Sequence, residues 1–258
     1  MRLTVLGCSG SMPSPTSAAS SYLLQADDAD GRTRSVLLDL GSGAFGPLQR
    51  HLDPHEIDAV LLSHLHPDHC ADVTALAVWL QYGPGSPGPR VLVYGPEGTA
   101  ERLAELSMTT TAEVAAIFDV RTFADGVAVE IAGLQVTPHA VLHPVPAFGV
   151  RIVGPREDRT APASLGYTGD TDHCDGALRV AADVDLLLAE AAFGEHETVR
   201  GIHLTGSRAG AVASDGGARR LVLTHLQPWA DADAITAAAA ARFDGELAVA
   251  TPGATFEV

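Results

Sequence analysis

The sequence predicts an α/β protein in which two mixed sheets pack face to face with helices on their outer sides. Short apolar runs of strand character recur in both halves of the chain, strand meanders occur in each half, and helical stretches lie between them. No linker or low-complexity block divides the pattern, so residues 1–258 are expected to form one domain. At 46% hydrophobic and 19% charged residues, the chain can bury a substantial core.

Leu3–Leu6, Ser21–Leu24 and Ser35–Leu40 read as strands, the last two joined as a hairpin through the polar Asp27–Arg34 segment with its Asp30-Gly31 pair. Ile57–Leu62 is a strand that runs directly into Ser63-His64. From Cys70 to Tyr82, Val73, Leu76, Ala77 and Leu80 recur at helical spacing, and Pro84–Pro89 ends that helix. A strand at 91–94 precedes a helix through Leu103 and Leu106, followed by an irregular stretch to Asp119. Strands then meander from Val127 to Val153. The second half continues with strands Leu165–Thr168, Asp185–Ala189 and Leu221–Thr224, and with an Ala-rich helix over Asp231–Arg242.

Charge and composition exclude several functions. Sixteen basic residues, all of them Arg, face 32 acidic ones, for a formal net charge of −16. Affinity for phosphate backbones rests mainly on Lys and Arg, so a diffuse basic face for long nucleic acid is not expected. The absence of Lys excludes a Walker A loop and a Lys Schiff base. Cys8, Cys70 and Cys174 are odd in number and scattered, which fits a reducing compartment. No apolar run is long enough to span a bilayer, and Met1–Gly7 is too short for a secretory apolar segment. A cytoplasmic protein is expected.

The segment Ser63-His64-Leu65-His66-Pro67-Asp68-His69 carries the most chemistry. Three imidazoles and a carboxylate fall within six residues, between a buried strand and a helix. These donors suit Zn²⁺ and related first-row ions, and no Cys in ligand spacing competes. A tight loop can aim His64 and His66 at one point and Asp68 and His69 at another. More donors must then come from other strand ends. His143 in Leu-His-Pro-Val-Pro, Asp170 in Tyr-Thr-Gly-Asp-Thr and His225 after Leu221–Thr224 are the candidates. Singly, each reads as well as a surface histidine, a turn aspartate or a capping histidine.

Together these residues resemble the metallo-β-lactamase-fold hydrolases, and the His-x-His-x-Asp-His motif is specific to them. The resemblance covers the chain from its first strand to His225. It implies an αββα sandwich and two divalent ions: His64, His66 and His143 on one, Asp68, His69 and His225 on the other, Asp170 bridging both. Asp68 is also counted among the catalytic groups. Zn²⁺ is the expected ion, and Mn²⁺ or Fe²⁺ accepts the same donors. Two such ions about 3.5–4 Å apart can share and acidify a hydroxide for attack on phosphorus.

His-Pro-Val-Pro-Ala-Phe-Gly-Val-Arg, the stretch Leu187–Phe193 and His203-Leu204-Thr205 resemble the ribonuclease Z-like branch in particular. That branch implies His203 as proton donor to the leaving oxygen, oriented by Glu190; the plain alternatives are a loop histidine and a salt bridge. Ribonuclease Z itself carries a Pro-x-Lys-x-Arg-Asn segment, where this chain has Pro13–Ala18 without Lys, Arg or Asn. Its long tRNA-gripping arm would fall between His143 and Asp170, which only 26 residues separate. The opening Leu-Gly-Cys-Ser-Gly-Ser-Met-Pro and Tyr-Thr-Gly-Asp-Thr are similar to actinobacterial atypical class II cyclic-nucleotide phosphodiesterases. The implied activity is hydrolysis of a small phosphodiester such as 3′,5′-cyclic AMP, with no long nucleic acid or membrane as partner, and the branch admits a homodimer. The alternatives are tRNA 3′ processing and hydrolysis of another small ester or a lactone. Gly7–Ser11 is expected as a turn that approaches the site, with Cys8 packed rather than reactive. His51, His55, His139 and His196 lack ligand context, and His173 is expected in a solvent-facing loop.

Overall fold

The computed structural model describes residues 1–28, 30–156 and 161–258. Its strands are β1 (Arg2–Ser9), β2 (Ala18–Ala19), β3 (Ser21–Asp27), β4 (Thr33–Leu38), β5 (Ala59–Leu61), β6 (Val91–Gly95) and β7 (Phe118–Thr122). There follow β8 (Val129–Ile131), β9 (Leu134–Ala140), β10 (Phe148–Pro155), β11 (Pro162–Tyr167), β12 (Leu186–Glu190), β13 (Arg220–Thr224), β14 (Glu246–Val249) and β15 (Thr255–Glu257). The helices are α1 (Phe45–Leu48), α2 (Pro67–Cys70), α3 (Val73–Tyr82), α4 (Thr99–Ser107), α5 (Thr111–Ile117), α6 (Asp175–Ala181), α7 (Gly206–Gly216) and α8 (Ala232–Ala240).

Two mixed sheets result. One has the order β15-β1-β3-β4-β5-β6-β7 with β2 beside β1, the other β14-β13-β12-β11-β10-β9-β8. In the first, β4, β5, β6 and β7 run parallel; in the second, β11 to β14 do. Side-chain alternation explains the layers. Tyr22, Leu24, Val36 and Leu38 face Ile152, Leu165, Leu186 and Leu188 in the apolar layer between the sheets. Leu23, Leu37 and Val60 point the other way, onto Val73, Leu76, Leu80 and Leu103 of the first helical layer. Leu187, Leu221 and Leu223 likewise meet Val180, Val212 and Ile235 of the second. Strands buried on both faces read as unbroken apolar runs, which is why Leu186-Leu187-Leu188 shows no polar alternation.

Several elements depart from expectation. The helix set at Cys70–Tyr82 is two helices, because Pro67 at a first helical position starts α2 and the chain breaks before Val73. The stretch up to Asp119 is not irregular: Thr110 and Glu113 form a reciprocal capping box that opens α5, and β7 follows at once. Gly7 and Ser9 belong to β1 rather than to a turn, so the turn begins at Gly10. Helices α6 and α7 and strands β14 and β15 lie where no element was expected. The flanks of the expected hairpin pair, Asp27 with Thr33, and Pro155 pairs with Pro162, while residues 29 and 157–160 lie outside the described residues.

Gly41 shows how tightly the layers are locked behind α2. A Cβ there would lie 1.9 Å from Asp68 O and 2.9 Å from Ser20 O, both backbone atoms. Gly41→Ala is therefore expected to lower stability by about 1–3 kcal/mol in chemical denaturation. Gly46→Ala, with nothing within 4 Å of the new methyl, should be neutral. Equal effects of the two substitutions would refute the close-approach argument.

Candidate functional site

The parallel strands β4, β5, β11, β12 and β13 end along one edge of the sandwich, and each delivers a polar residue there: Asp39, His64, Asp170, Glu190 and His225. A crevice beyond the carboxyl ends of parallel strands is where α/β architectures bind ligands. Asp39 and His225 leave their strands with left-handed backbone, φ +58° and +57°. Such conformations cost about 1–3 kcal/mol and persist where surrounding contacts hold them. His66 stays extended as the residue before α2, while Asp68 and His69 turn within it, which separates the two halves of the motif.

The structure brings all seven expected ligands together in two clusters. His66 Nδ1 lies 2.9 Å from His64 Nε2 and 3.3 Å from His143 Nε2. His69 Nε2 lies 3.4 Å from Asp68 Oδ2 and 3.2 Å from Asp170 Oδ1, and His225 Nε2 lies 3.3 Å from Asp170 Oδ2. Asp170 Oδ2 is also 3.7 Å from His64 Nε2, which places this carboxylate between the clusters. Donors about 2.0–2.1 Å from a tetrahedral ion sit about 3.3 Å from one another, close to these spacings. His69 Nε2 and Asp170 Oδ1 are buried without a hydrogen bond, although each needs a partner. A cation between them satisfies both, so the donor set fits divalent metal.

Behind the donors lies a shell that orients them. His69 Nδ1 donates to Asp39 Oδ2 at 2.7 Å, and His143 Nδ1 to Ile202 O at 2.9 Å. Ser20 Oγ lies 2.8 Å from His225 Nδ1, and Ser63 Oγ 3.1 Å from His64 Nδ1. Fixing the second ring nitrogen fixes which nitrogen faces the ion. Gly10 and Ser11 approach as expected: the Ser11 N–H points at His225 Nε2 from 3.3 Å, and a Cβ on Gly10 would meet His225 O at 2.2 Å.

Charge in the site follows from burial and neighbours. Burial pushes the pKa of His64, His66, His143 and His225 down, so these rings favour the neutral, ligating form. Burial alone would raise Asp170, but His225 and His69 outweigh it and hold this carboxyl well below its ordinary range. Burial opposes charge on His69 too, yet Asp170 and Asp39 carry it well above an ordinary histidine. The carboxylates thus call for positive charge at the point where His69 Nε2 has no partner. Metal binding to such donors releases protons.

His203 is 8% exposed, and its Nδ1 lies 2.8 Å from Glu190 Oε1. That glutamate also accepts from the Thr171 and Ala192 amides, so its orientation is fixed. His203 Nδ1 is 3.9 Å from Asp170 Oδ2, and with His143 and Asp170 it forms a third cluster of donors. His51, His55, His139, His173 and His196 join no donor cluster among the described residues. His173 is exposed, Cys70 is buried, and Cys8 donates to Ala250 O. Asp39 and Ser20 went unnoticed in the sequence; a lone carboxylate after Val36-Leu37-Leu38 was the available signal.

Asp39→Asn keeps the size of the side chain but removes the charge facing His69. It is expected to weaken divalent-metal affinity about 10–100-fold in chelator competition, as loss of a ligand's outer partner does. Unchanged affinity would show that Asp39 serves the fold alone.

Residues 34–226 match a family model described as beta-lactamase superfamily domain. An uncharacterised protein of Mycobacterium tuberculosis is 42% identical, covering 100% of this chain and 92% of that protein. The probable metallo-hydrolase YhfI of Bacillus subtilis is 29% identical, with full coverage of both. Its crystal structure superposes with a TM-score of 0.85 over 100% of this chain and 99% of that one, at 28% identity. Ribonuclease Z of Streptomyces avermitilis is 29% identical over 96% of this chain and 94% of its own length. The chain is a metallo-hydrolase of the beta-lactamase superfamily, with the metallo-β-lactamase fold and a place in its ribonuclease Z-like branch.

Proposed function

We propose that the protein hydrolyses small phosphodiesters, with a 3′,5′-cyclic nucleotide such as cyclic AMP as the substrate and the nucleoside monophosphate as product. The observation that carries this reading is the His203–Glu190 pair beside the donor clusters. His203 Nδ1 is engaged by Glu190, and its Nε2 has no hydrogen bond among the described residues. Burial opposes a charge on this ring, but the Glu190 carboxylate raises its pKa to about 9. His203 is then protonated at neutral pH and able to give a proton to a sugar oxygen as the P–O3′ bond breaks.

Two divalent ions in the clusters, Zn²⁺ first among them, supply charge for the phosphoryl oxygens and acidify water. Asp170 sets the two donor clusters side by side, and Asp68 and His225 close the deeper one. Water adds through its oxygen to phosphorus and releases one proton to solvent, the P–O3′ bond breaks, His203 Nε2 gives its proton to O3′, and the ring is reprotonated from solvent.

Small substrate size is supported by what the chain lacks around this site. The 26 residues between His143 and Asp170 hold β10 and β11 and the short segment that joins them. The alignment with the Streptomyces ribonuclease Z uses 96% of this chain, about 248 residues, across 292 positions, leaving about 44 opposite gaps. The alignment with YhfI runs over 260 positions and uses the whole of both chains. Among the described residues no helix is long and apolar enough to cross a membrane.

A turnover panel of cyclic AMP, cyclic GMP, bis(p-nitrophenyl) phosphate, a tRNA precursor and a lactone tests the reading. The cyclic nucleotides should be cleaved and the tRNA precursor left nearly intact; efficient cut at a tRNA 3′ end would overturn it. Elemental analysis should find two divalent ions per chain, with both lost in Asp170→Ala.

His203→Ala should keep its metals yet lose about 10²–10⁴-fold in turnover of the cyclic nucleotide, the usual worth of a placed acid. The loss should shrink for p-nitrophenolate, which departs without a proton. A general acid works below its pKa, so activity should fall as pH rises toward 9. Bound cations lower that pKa, and Glu190→Gln should move the alkaline limb lower still. An unmoved limb would remove Glu190 from the scheme.

A further inference from the structure

Asp172 lies two residues beyond Asp170, on a loop that none of the roles above requires. Its side chain is 5% exposed, yet it sits at the meeting point of three separate segments. Its Oδ2 accepts from the Gly201 N–H at 2.8 Å, and its Oδ1 from the His173 N–H at 2.7 Å and from Arg208 Nη1. Its own N–H donates to Leu142 O at 2.9 Å, directly beside His143. Arg208 comes from the first turn of α7, and its Nε also donates to Thr205 Oγ1 at 3.4 Å. This guanidinium is 11% exposed, and its Nη2 has no partner among the described residues.

The geometry points to a positioning function: we infer that the Asp172–Arg208 ion pair is a clip that holds the 201–205 segment in register, so that His203 reaches the leaving oxygen. The clip grips that segment on either side of His203, at Gly201 through Asp172 and at Thr205 through Arg208. Between the grips, Ile202 O receives His143 Nδ1, so the same short strap bears on a ligand and on the acid. Without the clip, the strap would keep the His143 contact at Ile202 O, the Phe193 N–H bond to Leu204 O and the Glu190 contact at His203, but would lose its hold at Gly201 and at the Thr205 side chain. A proton donor must stand within hydrogen-bond reach of the departing oxygen, so a small drift costs rate while leaving substrate binding largely intact.

A buried ion pair is a poor device for stability alone, because desolvation consumes much of its attraction. It does fix geometry, and a guanidinium with one unsatisfied nitrogen is a costly choice for filler. Removing one partner leaves the other charge buried and uncompensated, so a single substitution can damage the fold. Asp172→Asn with Arg208→Met removes both charges at once and serves as the second variant.

The inference rests on the reading of His203 as the acid, and the test separates the two. Hydrogen–deuterium exchange of the metal-loaded protein reads the strap directly. In Asp172→Asn, Arg208→Lys and the double variant, amides 201–205 should exchange at least about 10-fold faster, with those of β3 and β4 unchanged. Turnover should then fall about 10–100-fold for the cyclic nucleotide with KM within about threefold, and less than threefold for bis(p-nitrophenyl) phosphate. Added to His203→Ala, the clip substitutions should cost less than about threefold further, since the acid they position is gone and only the His143 contact at Ile202 O is left to disturb. The Lys variant, which keeps a charge, should recover part of the loss. Unchanged exchange at 201–205, equal losses with both leaving groups, or losses additive with His203→Ala would each overturn the clip. If His203→Ala itself showed no dependence on leaving group, the acid reading would fall. Exchange at 201–205 and the coupling to His203→Ala would still decide whether the clip exists.

Discussion

A single buried carboxylate ties this structure together. Asp39 accepts from Ser63 N–H at 2.6 Å, Ser63 Oγ at 2.7 Å, Tyr167 OH at 2.6 Å and His69 Nδ1 at 2.7 Å. Three of those donors come from the first half of the chain, but Tyr167 belongs to β11 of the other sheet. Hydrogen bonds to a charged group contribute about 1.5–3 kcal/mol each, and a buried carboxylate stripped of them costs at least as much. The position is thus over-determined, which explains how a non-glycine residue stays at φ +58°. Strand end, sheet-to-sheet contact and ligand orientation meet at one side chain.

The same arrangement sets the terms for the metal site. Asp39, Asp68 and Asp170 lie around His69, and against its burial Asp170 and Asp39 raise the pKa of that ring well above an ordinary histidine. A divalent cation that binds the folded site and not the unfolded chain stabilises the fold by mass action. Fold and function are coupled here: the residues that make a good ligand set make a poor core without its ion. Neutral His64, His66, His143 and His225 follow from their burial, and burial follows from the strands that carry them.

How much of this could be read in the sequence depended on distance along the chain. His64, His66, Asp68 and His69 announce themselves because four donors fall within six residues. His143, Asp170 and His225 are isolated, and only their places at strand ends and their order, matched to a known family, made them candidates. Asp39 has one polar letter after three apolar ones to show for itself, and its partners are 24, 30 and 128 residues away. The pairing of Asp172 with Arg208 spans 36 residues and has no periodicity. Among the elements, α5 was hidden because Thr109, Thr110 and Thr111 look alike, and only geometry shows which of them caps. Strands β14 and β15 are short and sheet-edge or near it, where tertiary pairing rather than local pattern decides.

Charge then links the site to the size of what it can accept. Arg32, Arg34, Arg102, Arg121, Arg156, Arg179, Arg200, Arg208 and Arg219 all lie within 4 Å of an acidic side chain. Much of the cationic charge is therefore paired with acidic side chains of the same chain, whose formal net charge is −16. Divalent ions held by the donor clusters would reverse the sign locally, and at physiological salt the reach of that field would be about 8 Å. A small phosphodiester can lie wholly within that distance. On the proposed reading a folded RNA would not, since most of its phosphates would lie beyond that reach, over a chain with 32 acidic residues against 16 basic ones. Under the proposed function, selection by size begins with the charge of the chain, before any loop or arm takes part.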